Sequence, residues 1–416
     1  MAHKTIDKPE LLAPAQDWNS LKIVAELADA VYFGVEKYNM RAKAKNFEQK
    51  ELSKIVEFCH SREPKLKTYL CTNILIYDPE IPDLNALISE AKDAGIDAII
   101  THDLATIQIA KRHDMDFHVS TQANVSNLHA AKFYEELGAK RIILARELSL
   151  AQIANVKSQL EKAKIECFVH GSMCTSISGR CYFSASMYES EAHSANRGNC
   201  AQPCRREWIV VDNENNEYIY DGQLFLNAKD LCMIEFIPDL ITAKIDAFKI
   251  EGRMKDPLYV KTVTKCYREA IDSYFNGMYT ENKIVNWLKK LSMVYNRGFH
   301  TGFYFKKPSH EDLQLKSRGN VSPYKKIYFG KVLSYDEGSK SANVLIENTE
   351  LLLRVGNEVI IIGKNTYYIE RIKKIIFKGE KIDKIKRNRK SDPIAINLPL
   401  NNMVEIGDKI YLISKK

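Results

Sequence analysis

Short apolar segments alternate with amphipathic stretches over roughly the first 275 residues of this 416-residue chain, and this alternation limits the fold more than any other feature. Eight apolar segments rich in Val, Ile, Phe and Tyr are predicted strands, namely Glu10–Ala13, Ala30–Phe33, Lys67–Thr72, Ala98–Thr101, Asp116–Ser120, Arg141–Leu144, Glu166–His170 and Ala247–Ile250. Six stretches between them have the three- and four-residue spacing of amphipathic helices, namely Leu21–Ala28, Lys50–Cys59, Leu84–Ala94, Ala105–His113, Leu128–Leu137 and Leu150–Leu160. Repeated strand–helix units predict a parallel sheet of the α/β class. Eight of them predict a closed (β/α)₈, TIM-like barrel.

An open, doubly wound sheet is the alternative fold. A dinucleotide-binding version of that fold would carry G-x-G-x-x-G after its first strand. The chain has no such motif there, and the closed barrel is therefore the favoured prediction.

A long insertion separates the seventh and eighth predicted strands. It covers residues 171–245, about 75 residues, and carries most of the cysteines. We predict within it a hairpin of Trp208–Val211 with Tyr218–Tyr220, followed by a helix near Leu231–Ala243. Long insertions at the carboxyl ends of barrel strands are where this fold places its function.

The pattern changes to short strands separated by turn residues after Ser322. Helices are predicted at Pro257–Phe275 and near Glu281–Val294 before this change, and a polar linker near Leu313–Pro323 divides the chain. We therefore predict a barrel domain over residues 1–312 and a small β-barrel or sandwich over residues 323–416. The predicted strands of the second domain are Tyr328–Ser334, Ser341–Glu347, Glu358–Ile362, Tyr367–Ile376 and Lys409–Ile413.

The chain has no run of 18 apolar residues, and its first residues lack the apolar core of a signal peptide. These features predict a cytoplasmic protein that does not enter a membrane. Net charge is +8, and residues 364–390 alone hold eleven Lys or Arg against three acids. This basic stripe, interleaved with Tyr367, Tyr368 and Phe377, suits a polyanion such as RNA. A solvated sheet edge that resists aggregation would look the same.

Five of the nine cysteines fall within 59 residues of the insertion: Cys174, Cys181, Cys200, Cys204 and Cys232. Disulfides are rare in a reducing compartment. Thiolates that converge repel one another unless a cation lies between them, so the clustering predicts a metal centre. Only the Cys200–Cys204 spacing has the tight form typical of structural zinc. The wider spacings favour an iron–sulfur cluster, with a zinc ion that folds the insertion as the alternative.

Polar residues follow several predicted strands, where barrel enzymes place their chemistry: Asn73, His102, Gln122, Arg146, His170 and Glu251. Lys249 and Glu251 alternate along the last strand and project in the same direction. We predict that Arg146, Lys249 and Arg253 bind an anionic co-substrate and that Glu251 transfers protons. Arg41, after the second strand, is a further anion-binding candidate. A buried Lys–Glu pair that fills a barrel layer would give the same pattern, and His170 could be satisfied by local hydrogen bonds.

The segments that carry these residues resemble peptidase family U32, the collagenase-like peptidases. HGSMCTSISGRCYFS, ANRGNCAQPCRREW, NAKDLC, FKIEGRMKDPLYV and RGFHTGFYF are similar to the family's motifs, as are PELLAPAQDW, ADAVYFGVEKYNMRAKAKNF and STQANVSN. The resemblance covers roughly residues 8–306. The β-rich tail is similar to the family's C-terminal module, but weakly.

The resemblance implies oxygen-independent RNA hydroxylation that depends on an iron–sulfur cluster. Family members that make 5-hydroxyuridine at the tRNA wobble position have a similar length, whereas those that hydroxylate a ribosomal RNA cytidine are longer. The family's [4Fe-4S] ligands match Cys174, Cys181, Cys200 and Cys232, and some relatives use the position of Cys204 instead. Prephenate is the implied hydroxyl donor and tRNA the implied partner. From the residues at the strand ends, we predict that Lys249 and Glu251 are catalytic. The residues predicted to bind substrate are Arg41, Gln122, Arg146, His170 and Arg253.

Two other functions stay open. A collagenase-like protease is one, although the chain has neither H-E-x-x-H nor G-x-S-x-G. A cysteine protease would also need a free thiolate beside a histidine, and Cys174, near His170, is better explained as a metal ligand. The other is a metal-stapled accessory protein that binds RNA without modifying it.

Overall fold

The computed structural model describes residues 7–178, 180–219, 226–317, 319–363, 366–388 and 393–416. The chain divides into two compact units, the first ending at Val321 and the second beginning at Ser322. Of the segments predicted above, the hairpin residue Tyr220 and the stripe residues Lys364, Arg389 and Lys390 lie outside the described residues.

The first unit is a closed parallel barrel. Its strands are β1 (Glu10–Pro14), β2 (Ala30–Phe33), β3 (Lys67–Cys71), β4 (Ala98–Thr101), β5 (Phe117–Val119), β6 (Arg141–Ile143), β7 (Lys164–Ser172) and, after the insertion, β11 (Ala247–Ile250). Neighbours in this order pair in parallel, and β11 closes the barrel by pairing with both β7 and β1. The predicted (β/α)₈ fold is therefore confirmed.

Helices cover the outside of the barrel. The first six are α1 (Trp18–Val24), α2 (Leu52–His60), α3 (Ile81–Asp93), α4 (Leu104–Arg112), α5 (Leu128–Glu136) and α6 (Leu150–Gln159). Strand alternation sends Leu11 and Ala13 outward to the helices, while Leu12 points into the barrel beside Tyr32 and Tyr69. Among the described residues, no helix has the length and apolar character needed to cross a membrane.

The insertion contains α7 (Phe183–Tyr188), the hairpin strands β8 (Ile209–Val211) and β9 (Glu217–Ile219), β10 (Asp230–Cys232) and α8 (Ile237–Thr242). The prediction of one helix from Leu231 was wrong at its start. Residues of β10 pair antiparallel with the end of β7 and parallel with β12 (Phe299–His300), so the sheet satisfies their backbone groups. The helix begins only at Ile237, where Pro238 occupies the first turn and needs no backbone donor.

The helices α9 (Pro257–Phe275) and α10 (Glu281–Met293) complete the first unit. The second unit contains β13 (Tyr324–Asp336), β14 (Ser341–Ile346), β15 (Leu353–Arg354), β16 (Glu358–Ile362), β17 (Tyr367–Arg371), β18 (Ile375–Phe377), β19 (Glu380–Ile382), β20 (Lys384–Ile385), β21 (Ile394–Pro399) and β22 (Lys409–Lys415). Eight of these form an antiparallel sheet in the order β17-β16-β22-β13-β14-β21-β18-β19. Strand β21 was not predicted, and β17 and β18 were predicted as one strand.

The aromatic residues of the basic stripe pack inward. Tyr367 is buried, and Tyr368 and Phe377 pack against the apolar core of the second unit. The strands β17 and β18 thus use these side chains for the core, and RNA binding by the stripe stays a prediction. Lys373 and Lys374, which lie between Tyr368 and Phe377, and Lys381, which follows Phe377, are exposed.

A buried network of ion pairs links strands β1, β3, β6 and β7 of the barrel. Arg141 Nη1 lies 2.7 Å from Glu10 Oε1 and 3.0 Å from Glu166 Oε2, and Lys67 Nζ lies 2.8 Å from Glu10 Oε2. Burial by itself would raise the pKa of Glu10, but Arg141 and Lys67 outweigh it and lower that pKa to about 2. Glu10 therefore stays ionised in the folded barrel to low pH.

We expect Glu10→Gln to lower the free energy of unfolding near pH 7 by on the order of 3 kcal/mol. The depressed pKa means that this contribution is complete above about pH 5 and is lost as pH falls toward 2. All three tryptophans lie in the first unit, so urea unfolding followed by tryptophan fluorescence reports on the barrel. The exposed Glu26→Gln is the control. If the difference in free energy of unfolding between Glu10→Gln and the parent did not decrease as the pH is lowered, this assignment would be contradicted.

Candidate functional site

A cavity of about 270 Å³ opens at the carboxyl ends of the barrel strands. Its floor contains Tyr32, Cys71 and Ile143 from the strands, and its walls come from the loops after them and from the insertion. Parallel barrels bring the residues after every strand to this one face, and the insertion after β7 covers it. The cavity is therefore enclosed by both parts of the first unit.

The cavity is strongly cationic. Nine lysine or arginine side chains line it: Arg41, Lys43, Arg146, Arg180, Arg205, Lys249, Arg253, Lys255 and Arg297. Among the described lining residues the one carboxylate is Glu251. A small enclosed space with this balance of charge favours an anionic ligand.

Four thiols of the insertion line the same cavity: Cys174, Cys181, Cys200 and Cys204. They lie close enough to act on one another, because Cys174 and Cys181 help burial to raise the pKa of both Cys200 and Cys204. Cys174 is exposed to the cavity, where Arg146 and hydrogen bonds from Ser176 outweigh burial and lower its pKa. Within the described part of the chain, no three His, Cys, Asp or Glu side chains are arranged around one metal-sized point.

Cys232 has different surroundings from these four thiols. It is buried in β10, its Sγ is 4.0 Å from the hydroxyl of Tyr267 on α9, and it does not line the cavity. Burial raises its pKa to about 12. Cys204 thus lines the cavity with the three other predicted ligands, and Cys232 does not. The role of Cys232 as a ligand stays a prediction.

Polar contacts hold the cysteine-bearing insertion against the barrel. Arg197 pairs with Glu80 ahead of α3, with Nη1 2.8 Å from Oε2, and also donates to the carbonyl of Leu75. The buried Asn196 accepts a hydrogen bond from the backbone N–H of Cys181 at 3.0 Å. Gly198 has a φ of +82°, and a side chain there would collide with the carbonyl of Asn39. The loop that presents the thiols is therefore fixed at several points.

Comparison with known proteins identifies the family. The model of peptidase family U32 matches residues 16–314 of this chain. The chain belongs to peptidase family U32. The family resemblance predicted from the sequence motifs is therefore confirmed.

Relatives within the U32 family have different names. A protein named as an uncharacterized protease from Methanocaldococcus jannaschii is 39% identical over 98% of both chains. A collagenase from Porphyromonas gingivalis is 36% identical over 98% of both chains. The tRNA hydroxylation protein P1 of Bacillus subtilis is 35% identical over 88% of this chain and 87% of its own.

The two residues predicted for catalysis in this U32 protein have different partners. Lys249 Nζ lies 2.8 Å from Glu166 Oε1 and 4.4 Å from the ring centre of Tyr32, at the floor of the cavity. Glu251 binds Arg41, with Oε1 3.2 Å from Nε and 3.0 Å from Nη2. Lys249 therefore belongs to the buried ion network and lines the cavity as well, while Glu251 anchors an arginine.

The surroundings of Glu251 keep it charged. Burial would raise its pKa, but Arg41, Arg253 and Arg146 lower it below its usual range. A carboxylate in this state is suited to holding Arg41 in place. Its proposed part in proton transfer stays a prediction.

The residues predicted for substrate binding all line the cavity. Arg253 is buried and donates from Nη2 to Asn39 Oδ1 at 2.7 Å, while its buried Nη1 has no hydrogen-bond partner among the described residues. Arg146 donates from Nε to Ser178 Oγ at 3.2 Å. Buried donors without partners are rare in folded proteins, so Arg253 Nη1 indicates a place where a ligand atom would accept a hydrogen bond.

Gln122 and His170 complete this set. Gln122 lines the cavity in the turn after β5. His170 is buried among Tyr259, Tyr267 and Phe299, and burial together with Lys255 lowers its pKa to about 3. Its neutral ring is thus packed into the wall.

Several residues that shape the cavity were not among the predicted site residues. Lys255 and Arg297 line it, and Asn39 orients Arg253. The spacing of KIEGRMK could have indicated Lys255, which lies four residues after Glu251 in the same loop. Asn39 and Arg297 lie within the motifs ADAVYFGVEKYNMRAKAKNF and RGFHTGFYF, but the position of a residue after a barrel strand did not single them out.

Proposed function

We propose that this U32 protein is an iron–sulfur-dependent RNA hydroxylase that forms 5-hydroxyuridine at the wobble position of tRNA without using oxygen. One observation carries the proposal: four grouped thiols and nine cationic side chains line a single cavity at the active face of the barrel. The names of the tRNA hydroxylation relative and of a 23S rRNA 5-hydroxycytidine synthase from Escherichia coli, 35% identical over 64% of this chain and 39% of its own, support RNA as the substrate. An RNA substrate also supports a cytoplasmic place of action.

The chemistry of the thiols fits a cluster. We propose Cys174, Cys181, Cys200 and Cys204 as the ligands of a [4Fe-4S] cluster, with Cys204 in the place that the sequence analysis gave to Cys232. Thiols spread around one cavity suit a body of several metal atoms better than the single point of a zinc ion. Arg146 and Arg205 act on Cys174 and offset the charge of bound thiolates. When bound, such a cluster would supply electron transfer.

The cationic wall beside the thiols would hold the hydroxyl donor. Prephenate, a small dicarboxylate, matches the predicted anion. The free Nη1 of Arg253 and the anchored guanidinium of Arg41 can each donate a hydrogen bond to a carboxylate. Lys249, at the floor, would orient the ligand from below while Glu166 holds its ammonium group.

The rim of the cavity suits a nucleotide. Lys43 and Arg180 are exposed there and can contact phosphate groups, and the exposed side chains of Ile177 and Met254 offer apolar surface to a base. An extruded base could thus reach the cavity while the backbone stays at the rim.

The direct test expresses the chain in a bacterial host that lacks its own tRNA hydroxylation proteins. We expect 5-hydroxyuridine to appear in hydrolysed tRNA by mass spectrometry, and to be absent with Cys174→Ser. Cleavage of denatured collagen by metal-free protein, with no modified nucleoside, would support the protease alternative. RNA binding without modification would support the accessory protein.

We expect the exposed lysines of the second unit to contribute to tRNA affinity. Exchange of Lys373, Lys374 and Lys381 for glutamine should weaken binding and reduce the slope of log affinity against log salt by about 2 to 3, because each phosphate contact contributes about 0.7 to 0.9. Filter binding at several salt concentrations measures both. Exchange of Lys325, Lys409 and Lys415, exposed in the same unit, is the matched control. Equal slopes for both triple variants would contradict the assignment.

A further inference from the structure

Lys255 lies in the loop after β11 with its backbone held on both sides. Its N–H donates to the carbonyl of Gly252 at 2.8 Å, and its carbonyl accepts from Gln16 Nε2 at 2.7 Å. The side chain extends from this fixed point to line the cavity. Its position is therefore set by the fold of the barrel.

The carboxylates near Lys255 form ion pairs with other cations. Asp230 accepts from the backbone N–H of Arg297 at 3.2 Å and from its Nη1 at 3.1 Å, while Glu251 binds Arg41. Among the described residues, Lys255 Nζ forms no hydrogen bond or ion pair. It lies over the ring of Tyr295, 3.2 Å from the ring centre.

Charged and titratable groups face Lys255 from every neighbouring element. They are Asp230 on β10, Arg297 before β12, Glu251 and Arg253 in its own loop, Arg205 in the insertion, His170 on β7, Tyr259 on α9 and Tyr295 after α10. Burial has the largest influence on Lys255 and lowers its pKa. Asp230 and Glu251 raise that pKa, whereas Arg297 and Arg205 lower it further. The resulting pKa is about 7. Both protonation states of the amine are thus populated at neutral pH.

We propose that Lys255 exchanges a proton with the anionic ligand that occupies the cavity. The neutral amine takes a proton from an acidic C–H or O–H group of the ligand. That bond breaks with its electron pair left on the ligand, and Nζ becomes an ammonium group. The reverse step returns the proton. A free amine that lines an anion-binding cavity can act as a general acid or base, and this inference does not depend on RNA being the substrate.

The protonation of Lys255 can be measured without any assay of activity. Anaerobically purified full-length protein with its bound metal is treated briefly with acetic anhydride at a series of pH values, and each lysine is quantified by mass spectrometry. We expect Lys255 to reach half of its full reactivity near pH 7. The exposed Lys261 on α9 is the control, and an ordinary lysine reaches that point only above about pH 10. If Lys255 follows the same curve as Lys261, the proposal is overturned.

Two variants test the catalytic part. Lys255→Met should lower turnover by a factor of about 100 to 10,000 at every pH. Lys255→Arg keeps the positive charge but does not titrate near neutral pH. Any turnover that remains should therefore no longer show the change near pH 7 that comes from titration of the Lys255 amine. Turnover of Lys255→Met equal to the parent, with the same pH profile, would overturn the proposal. If the parent forms no hydroxylated nucleoside, the RNA proposal fails, while the labelling curve still decides the state of Lys255.

Discussion

Glu251→Gln is expected to lower formation of the hydroxylated nucleoside by a factor of about 100 or more, with iron and sulfide content unchanged. The carboxylate holds Arg41 through two contacts to Oε1 and is the one acidic group among the described residues that line a strongly cationic cavity. A neutral amide would leave Arg41 free to move, and misplacement of a binding group by about 1 Å can cost about 100-fold in rate. Nucleoside mass spectrometry and metal analysis on the same preparation measure the two quantities separately.

The control for this exchange is Glu281→Gln, an exposed position at the start of α10. It removes one negative charge from the same unit but lies outside the cavity lining. Unchanged modification by Glu251→Gln would remove this residue from the site. Loss of iron together with activity would show instead that Glu251 supports the thiol-bearing loop.

Cys204→Ser is expected to remove the cluster, and Cys232→Ser to leave it in place. Cys204 lines the cavity with Cys174, Cys181 and Cys200, whereas Cys232 is buried against Tyr267. Iron should fall from about four atoms per chain to near zero in the first variant. The same variant should form no hydroxylated nucleoside. Cys232→Ser should retain both, with at most a modest loss of stability.

These two variants are each other's matched control, because both exchange one thiol for one hydroxyl in the insertion. Tryptophan fluorescence in urea reports whether either variant has lost the folded barrel. Loss of iron from Cys232→Ser, with retention in Cys204→Ser, would restore the ligand set that the family resemblance implies and would contradict the placement seen here.

The barrel could be predicted because its determinants are local. Each strand needs only a short apolar run, and each helix needs only a repeating apolar face. Residues 247–250 illustrate this, since AFKI reads as a strand from its own composition and forms β11. Segment β10 could not be predicted in the same way. Its three residues are a strand only because β7 and β12 lie beside them.

The site was only partly predictable for the same reason. The positions after barrel strands indicated Gln122, Arg146 and Glu251, and all three line the cavity. Their partners could not be inferred, since Arg41 and Glu251 are separated by 210 residues. The choice between Cys204 and Cys232 depends on how the insertion folds back, and cysteine spacing carries no information about that.

The proposed function depends most directly on what the four cavity thiols bind. The decisive measurement is the iron and acid-labile sulfide content of anaerobically purified full-length protein, together with its visible absorption spectrum. We expect about four irons and four sulfides per chain with a broad brown absorbance. One zinc per chain without sulfide would contradict the account, and the thiols would then be a structural clip for the insertion.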